Sequence, residues 1–281
     1  MIELKEVDKM DISNITVNKI KKLLEKNIRL DGRKPFEFRE IIIEKDVSIN
    51  AEGSARVRIG KTEVIAGVKL GVQTPYPDGP GKGTLTVGME FSSTAGARHE
   101  NGPPQIDSIE IARVVDRGIR ESGFIDWDKL CIVKGEKVWN ISIDIYCIND
   151  DGNALDASSL AAVVALRLTR FPVYDEETGI SFGEFTDKKL PLTDHVPFAL
   201  TLHKVGNGIL ADPNRKEEDS SEARLTLAYS HNGKENMINS MQKGGIIPLS
   251  GEEFIKVVDE SEKVYEHIFP KIDKQIKQLT K

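Results

Sequence analysis

The run Trp139-Asn-Ile-Ser-Ile-Asp-Ile-Tyr-Cys147, then Asp150-Asp-Gly-Asn153, then Asp156-Ala-Ser-Ser-Leu-Ala-Ala-Val-Val-Ala-Leu-Arg-Leu-Thr169 decides the fold. Trp139, Ile141, Ile143, Ile145 and Cys147 alternate with Asn140, Ser142, Asp144 and Tyr146, the pattern of a half-buried strand. The Asp-Gly-Asn turn leads into a segment where Leu160 through Leu166 leave no polar face before Arg167. A helix apolar on every side belongs at the centre of a core. Phe171-Pro172 stops it.

Upstream, Val17, Ile20, Leu23, Leu24 and Ile28 recur at helical spacing, predicting a helix over 13–28 that Arg29-Leu-Asp-Gly-Arg33 ends. Strands follow over 41–49, 54–59 and 62–72, with Gly60-Lys61 as a tight turn, and together they predict an antiparallel meander. The stretch 74–83 is dense in Gly and Pro and reads as a surface loop without the order of a nucleotide-binding P-loop. Leu85, Val87, Met89 and Phe91 alternate in a further strand, and an irregular loop over 92–104 carries Arg98 and His99.

Downstream, 173–190 reads as a linker with a short hairpin. A second strand set follows at 196–202, 208–211 and 224–231. The tail opens on a capping box, Ser250 with Glu253, and continues as a helix that Pro270 is expected to kink or divide. The order of elements gives an α+β fold with two related sub-domains of mixed sheet packed with helices. The expected divisions are an N-terminal helix at 1–29, a first sub-domain at 30–172, a linker at 173–192, a second sub-domain at 193–249 and a C-terminal helix at 250–281.

With 281 residues, 39% hydrophobic and 30% charged, the chain has the composition of a soluble globular protein. No apolar run reaches the roughly 18 residues a membrane helix needs. The opening Met-Ile-Glu-Leu-Lys-Glu-Val-Asp lacks the basic-then-apolar order of an export signal, so a cytoplasmic protein without a membrane partner is expected. Cys131 and Cys147 sit in apolar runs without metal-ligand spacing and read as reduced thiols. A net charge of −6 argues against gripping nucleic acid by bulk electrostatics, so any such contact must be local.

A local cationic feature exists. On a helix over 107–122, at about 100° per residue, Arg113, Arg117 and Arg120 fall within roughly 60° of one another, opposite Ile111, Val114, Val115 and Ile119. Guanidinium forks at regular spacing suit phosphate oxygens or a partner's acidic surface. The alternative is a solvated face that Glu110, Asp116 and Glu121 neutralise. Arg98 and His99 are open in the same way, as RNA contacts or as an ordinary mobile loop.

Two stretches permit site chemistry. Asp212, Glu217, Glu218 and Asp219 cluster in a turn, as a general acid or a magnesium ligand would, or as a solvated hairpin loop would. The turn before the buried helix resembles an anion site, but Asp156 stands where the anion would dock and is expected to cap its own helix. No Ser/His/Asp, Cys/His or HExxH pattern emerges, and neither a metal nor a cofactor is expected.

Arg29-Leu-Asp-Gly-Arg33, Glu110-Ile-Ala-Arg-Val-Val-Asp-Arg-Gly-Ile-Arg-Glu-Ser122, Asp150-Asp-Gly-Asn-Ala-Leu-Asp-Ala-Ser158 and Ala211-Asp-Pro-Asn214 together resemble the RNase PH family, over nearly the whole chain. Within it they resemble the non-catalytic subunits of the archaeal exosome core. The resemblance implies a ring of three heterodimers with a catalytic RNase PH-like partner, single-stranded RNA degraded 3′ to 5′ by phosphorolysis, and RNA-binding cap proteins. It also implies departures from the catalytic pattern. Asn153-Ala154-Leu155 replaces a Gly-Thr/Ser-Arg phosphate turn, Gln105-Ile-Asp107 replaces an Arg-Arg pair, and Asp212 survives as a vestigial family position. A non-catalytic subunit that completes its partner's site and helps bind RNA is the expectation. An active phosphorolytic exoribonuclease and a purely structural ring spacer are the alternatives.

Overall fold

The computed structural model of the chain describes residues 12–279. The opening octapeptide, read above for an export signal, lies outside the described residues. The first helix is α1 (Asn14–Leu24), started by the Ser13 hydroxyl, which accepts from the Ile15 amide at 3.3 Å. It ends earlier than the apolar spacing suggests, because Asn27 takes left-handed backbone (φ 55°) and leaves Ile28 exposed.

The first sheet contains β1 (Ile41–Lys45), β2 (Gly53–Ile59), β3 (Thr62–Gln73), β4 (Thr84–Phe91), β5 (Cys131–Val133) and β6 (Lys137–Asn149). Its order is β1-β2-β3-β6-β4, with β5 against β6. The expected meander is present, although β1 stops short of Ile49 because Asp46 turns left-handed at φ 55°. β4 lies parallel to β6, which requires a crossover, and α2 (Ile106–Glu121) is the helix within it.

From β6 the chain passes through the Asp-Gly-Asn turn into α3 (Ala154–Leu168), where every residue from 154 to 166 is buried. This helix packs on β2 and β3 of the first sheet. Gly53 permits that approach: a Cβ there would stand 2.5 Å from the Ala165 carbonyl oxygen. The run read as a linker with a short hairpin does contain the hairpin, which is longer than expected: β7 (Arg170–Asp175) and β8 (Gly179–Lys189) fill most of it, and Val173, Tyr174 and Asp175 pair across the turn with Ser181, Ile180 and Gly179.

The second sheet is antiparallel, β10-β9-β11-β12, formed by β9 (Phe198–Val205), β10 (Gly208–Ala211), β11 (Ala223–His231) and β12 (Asn236–Gly244). β9 packs on α3 from the side opposite the first sheet, so Val57, Val64, Ile143, Leu160, Leu200, Leu202 and Leu227 belong to one continuous core. α4 (Arg215–Asp219) interrupts the connection from β10 to β11.

The last helix, α5 (Gly251–Leu279), begins at the expected capping box: Ser250 N donates to Glu253 at 2.9 Å, and Glu253 N donates to the Ser250 hydroxyl at 3.2 Å. It is not divided at Pro270. Tyr265 and Ile268 on one side of the proline and Ile272 and Ile276 on the other are buried, and this packing holds the helix together across the missing amide. No helix among the described residues is long and apolar enough to cross a membrane.

Candidate functional site

The amphipathic pattern of α2 has a direct structural counterpart. Ile111, Ala112, Val114, Val115 and Ile119 are buried, while Arg113, Arg117 and Arg120 are exposed along the other side. Neutralisation occurs at one of the three. Asp116 accepts from Arg120 at 2.7 and 3.1 Å, and Arg120 also donates to the Leu85 carbonyl at 3.2 Å. Glu110, the second candidate neutraliser, is drawn away to Arg224 of β11. Arg113 and Arg117 therefore have no carboxylate partner among the described residues, on a helix whose opposite face is fixed in the core.

The other assembly of polar groups lies where α3 begins. The 150–153 turn is pressed against the 212–219 segment so closely that a Cβ on Gly152 (φ 86°) would stand 2.6 Å from the Pro213 carbonyl oxygen. Asp212 is fully buried. It accepts from the Arg39 backbone amide at 2.8 Å, from Arg39 Nη2 at 2.7 Å, from Arg33 Nη1 at 2.8 Å and from Asn153 Nδ2 at 2.9 Å. Arg29, also buried, forks onto Glu217 through Nε and Nη2 and donates to the carbonyls of Ala211 and Asp212. Arg215 joins Asp150 at 2.9 Å to Asp219 at 2.8 Å, and Arg98 reaches Asp219 at 2.9 Å.

This arrangement answers the carboxylate-cluster question. Asp212, Glu217, Glu218 and Asp219 form neither a solvated loop nor a ligand set, because each is matched by a guanidinium or a backbone amide. Burial alone would push the Asp212 carboxyl up, but the bonds and charge of Arg39 outweigh it and hold the group below the usual carboxylate range. Asp150 is held low in the same way, by His99 and Arg215 against burial. A general acid or base works best with a pKa near the working pH. Asp212 and Asp150, held ionised on arginine, serve structure, whereas burial pushes the Glu218 carboxyl up against the charge of Arg215.

Asp156 does not cap its own helix. It is buried and turned toward the second sheet, where Thr201 donates to it through the hydroxyl at 2.7 Å and through the backbone amide at 3.2 Å. The local reason is that Asn153, the residue before α3, takes left-handed backbone, and its amide donates to Glu218 at 3.0 Å. The start of the helix is thus occupied by a carboxylate from the other half of the chain. The His99 ring is also held inside the fold: it is buried, stacked on Phe91 at 4.1 Å and bonded to Asp150 at 3.0 Å. Arg98 is paired with Asp219 at 2.9 Å while its side chain stays partly exposed. Arg29, Arg33, Arg39 and Arg215 were not anticipated in this role. The surplus of arginine around 29–39 and of carboxylates around 212–219 was the only trace of it in the sequence.

Comparison with known proteins adds three findings. The model for the 3′ exoribonuclease family, domain 1, matches residues 37–172, and that for domain 2 matches residues 195–264. The exosome complex component Rrp42 of Methanosarcina mazei is 43% identical over 249 residues, covering 88% of this chain and 90% of that protein, and its counterpart from Archaeoglobus fulgidus is 43% identical over 238 residues, covering 85% and 88%. Among solved structures, a chain of the Archaeoglobus fulgidus exosome with RNA bound to the active site superposes with a TM-score of 0.82 at 39% identity, over 92% of this chain and 98% of that one. A chain of an archaeal exosome core gives 0.79 at 37%, over 92% and 97%.

Proposed function

The chain belongs to the 3′ exoribonuclease family, and from that membership we propose that it is a non-catalytic subunit of a cytoplasmic exosome ring of the archaeal type. It alternates there with a catalytic RNase PH-like subunit in three heterodimers, beneath RNA-binding cap proteins, and helps to bind the single-stranded RNA that its partner degrades from the 3′ end. The names of the relatives and the RNA-bound structural neighbour support the assembly and its substrate.

One observation carries the non-catalytic part. Phosphorolysis depends on a cradle that positions phosphate and neutralises its charge. Here the start of α3 presents Asn153, Ala154 and Leu155, without a guanidinium or a hydroxyl, and the Glu218 carboxylate already holds the amide that opens it. That amide is therefore not free to receive a phosphate oxygen. Arg113 and Arg117 are the groups this chain offers to RNA phosphates, and Arg120 is held back by Asp116. Arg98 and Asp212 serve the internal junction. The purified chain is expected to release no nucleoside diphosphate from RNA with inorganic phosphate, and to assemble with its catalytic homologue into a ring whose solution mass equals three heterodimers. Phosphate-dependent release by the chain alone would overturn the assignment.

A further inference from the structure

We propose that His99 is a positioning residue for the arginine stripe of α2, an inference that rests on the reading of that stripe as an RNA contact. The loop from β4 to α2 is pinned at its first half to the 147–150 segment. Ser92 N donates to the Cys147 carbonyl at 2.9 Å, Asp150 N donates to the Ala95 carbonyl at 2.9 Å, and His99 closes the set through Asp150 Oδ2 at 3.0 Å. Asp150 cannot swing with the ring, because Arg215 holds its Oδ2 at 2.9 Å and Gly152 N its Oδ1 at 3.1 Å. Phe91 fixes the ring plane by stacking within 3°. His99 is therefore the last firmly anchored point before the helix.

Only residues 100–105 separate that anchor from α2, and Pro103-Pro104 makes the span stiff. The helix has no side-chain cap of its own at Gln105, so its entry is fixed from the loop. A cavity of about 60 Å³, lined by Phe91, His99, Gln105 and Ser108 among others, lies between the ring and the first turn. Without the anchor, that space lets the first turn of α2, in which only Ser108 is buried, settle toward the ring, a shift that the core packing from Ile111 onward damps, so that it reaches Arg113 more than Arg117.

The test uses the ring reconstituted with the catalytic homologue and compares His99→Leu, which keeps the volume but loses the bond, with His99→Gln, which keeps a donor for Asp150. His99→Leu is expected to weaken single-stranded RNA binding by roughly threefold to tenfold, with ring mass unchanged and with the dependence of log affinity on log salt unchanged, because every cation that meets a phosphate is still present. His99→Gln is expected to stay within about twofold of the parent. Arg113→Glu runs beside them and lowers the salt slope. Parental affinity for His99→Leu beside a weakened Arg113→Glu would overturn the proposal. So would a ring that dissociates, or a salt slope that falls as it does for Arg113→Glu. If Arg113→Glu itself binds as the parent does, the RNA reading of the stripe fails first and the positioning role falls with it. Should His99→Leu not yield a folded ring, Phe91→Leu, which removes the stack alone, must show the same loss at unchanged slope, and parental binding by that variant would overturn the proposal.

Discussion

The Asn153 side-chain amide donates to Asp212 across 2.9 Å, and both residues hold left-handed backbone, at φ 61° and 45°. Asp212 directly follows β10 of the second sheet, and Asn153 closes the turn that leads from β6 of the first sheet into α3. The two halves of the chain thus meet through a pair of residues whose backbone conformations are sustained by the contact between them. Asn153→Ala keeps a Cβ in the unfavourable region and deletes the bond, so a loss of about 1–3 kcal/mol in stability is expected from denaturant titration. Asn153→Gly removes the bond but relieves the backbone, and should cost less. Equal losses would show that the conformation carries no strain.

Arg29 and Glu217 form a buried pair joining the segment after α1 to α4. Arg29→Met strands a carboxylate in the interior and should destabilise the chain by about 3–5 kcal/mol. The double change Arg29→Met with Glu217→Leu removes both charges and should recover much of that loss. A double variant as unstable as the single one would show that the bonds from Arg29 to the carbonyls of Ala211 and Asp212 carry its contribution.

Asp156 provides a pH signature. Burial pushes its carboxyl up to about 7 against the two bonds from Thr201, so the folded chain keeps this proton at pH values where the unfolded chain has released it. The contribution to stability is complete below the ordinary carboxylate value of about 3.9, and it is lost as pH rises through about 7. Asp156→Asn should flatten the stability profile across that window, as read from urea midpoints. A slope identical to the parent's would mean that the carboxyl is ionised throughout.

The stripe on α2 is tested by charge reversal in the assembled ring. Arg113→Glu and Arg117→Glu should each weaken RNA binding and slow degradation by the partner. For a single strand, each phosphate that no longer meets a cation should reduce the log-log salt slope by roughly 0.7. Arg120→Glu should do less to the slope, because its guanidinium is already engaged by Asp116 and Leu85. Dissociation of the ring by any of these changes would assign that arginine to the protein interface.

What the sequence made legible was local and periodic. The alternation of β6, the all-round apolar character of α3 and the 3.6-residue spacing of Arg113, Arg117 and Arg120 each follow from neighbours a few positions apart. β12 escaped because an edge strand has no buried face to impose alternation: its Met237, Ile238 and Met241 are exposed. The junction at the start of α3 escaped for a different reason. Arg29 and Glu217 lie 188 positions apart, and nothing in either neighbourhood specifies the other. Asp156 was misassigned by a sound local rule, since a carboxylate in the first turn of a helix usually serves that helix. A partner on β9 won the competition for it.

The placement of α3 between the two sheets has a consequence for how the chain comes apart. Each sheet covers one side of the same helix, so neither half has a closed interior once the other is removed, although each half answers to a family model of its own. A cut at the β7–β8 hairpin would leave one fragment with an uncovered helix and the other with an uncovered sheet. The two halves are separate domains by family, yet they are expected to unfold together, with one calorimetric transition where the domain count would suggest two.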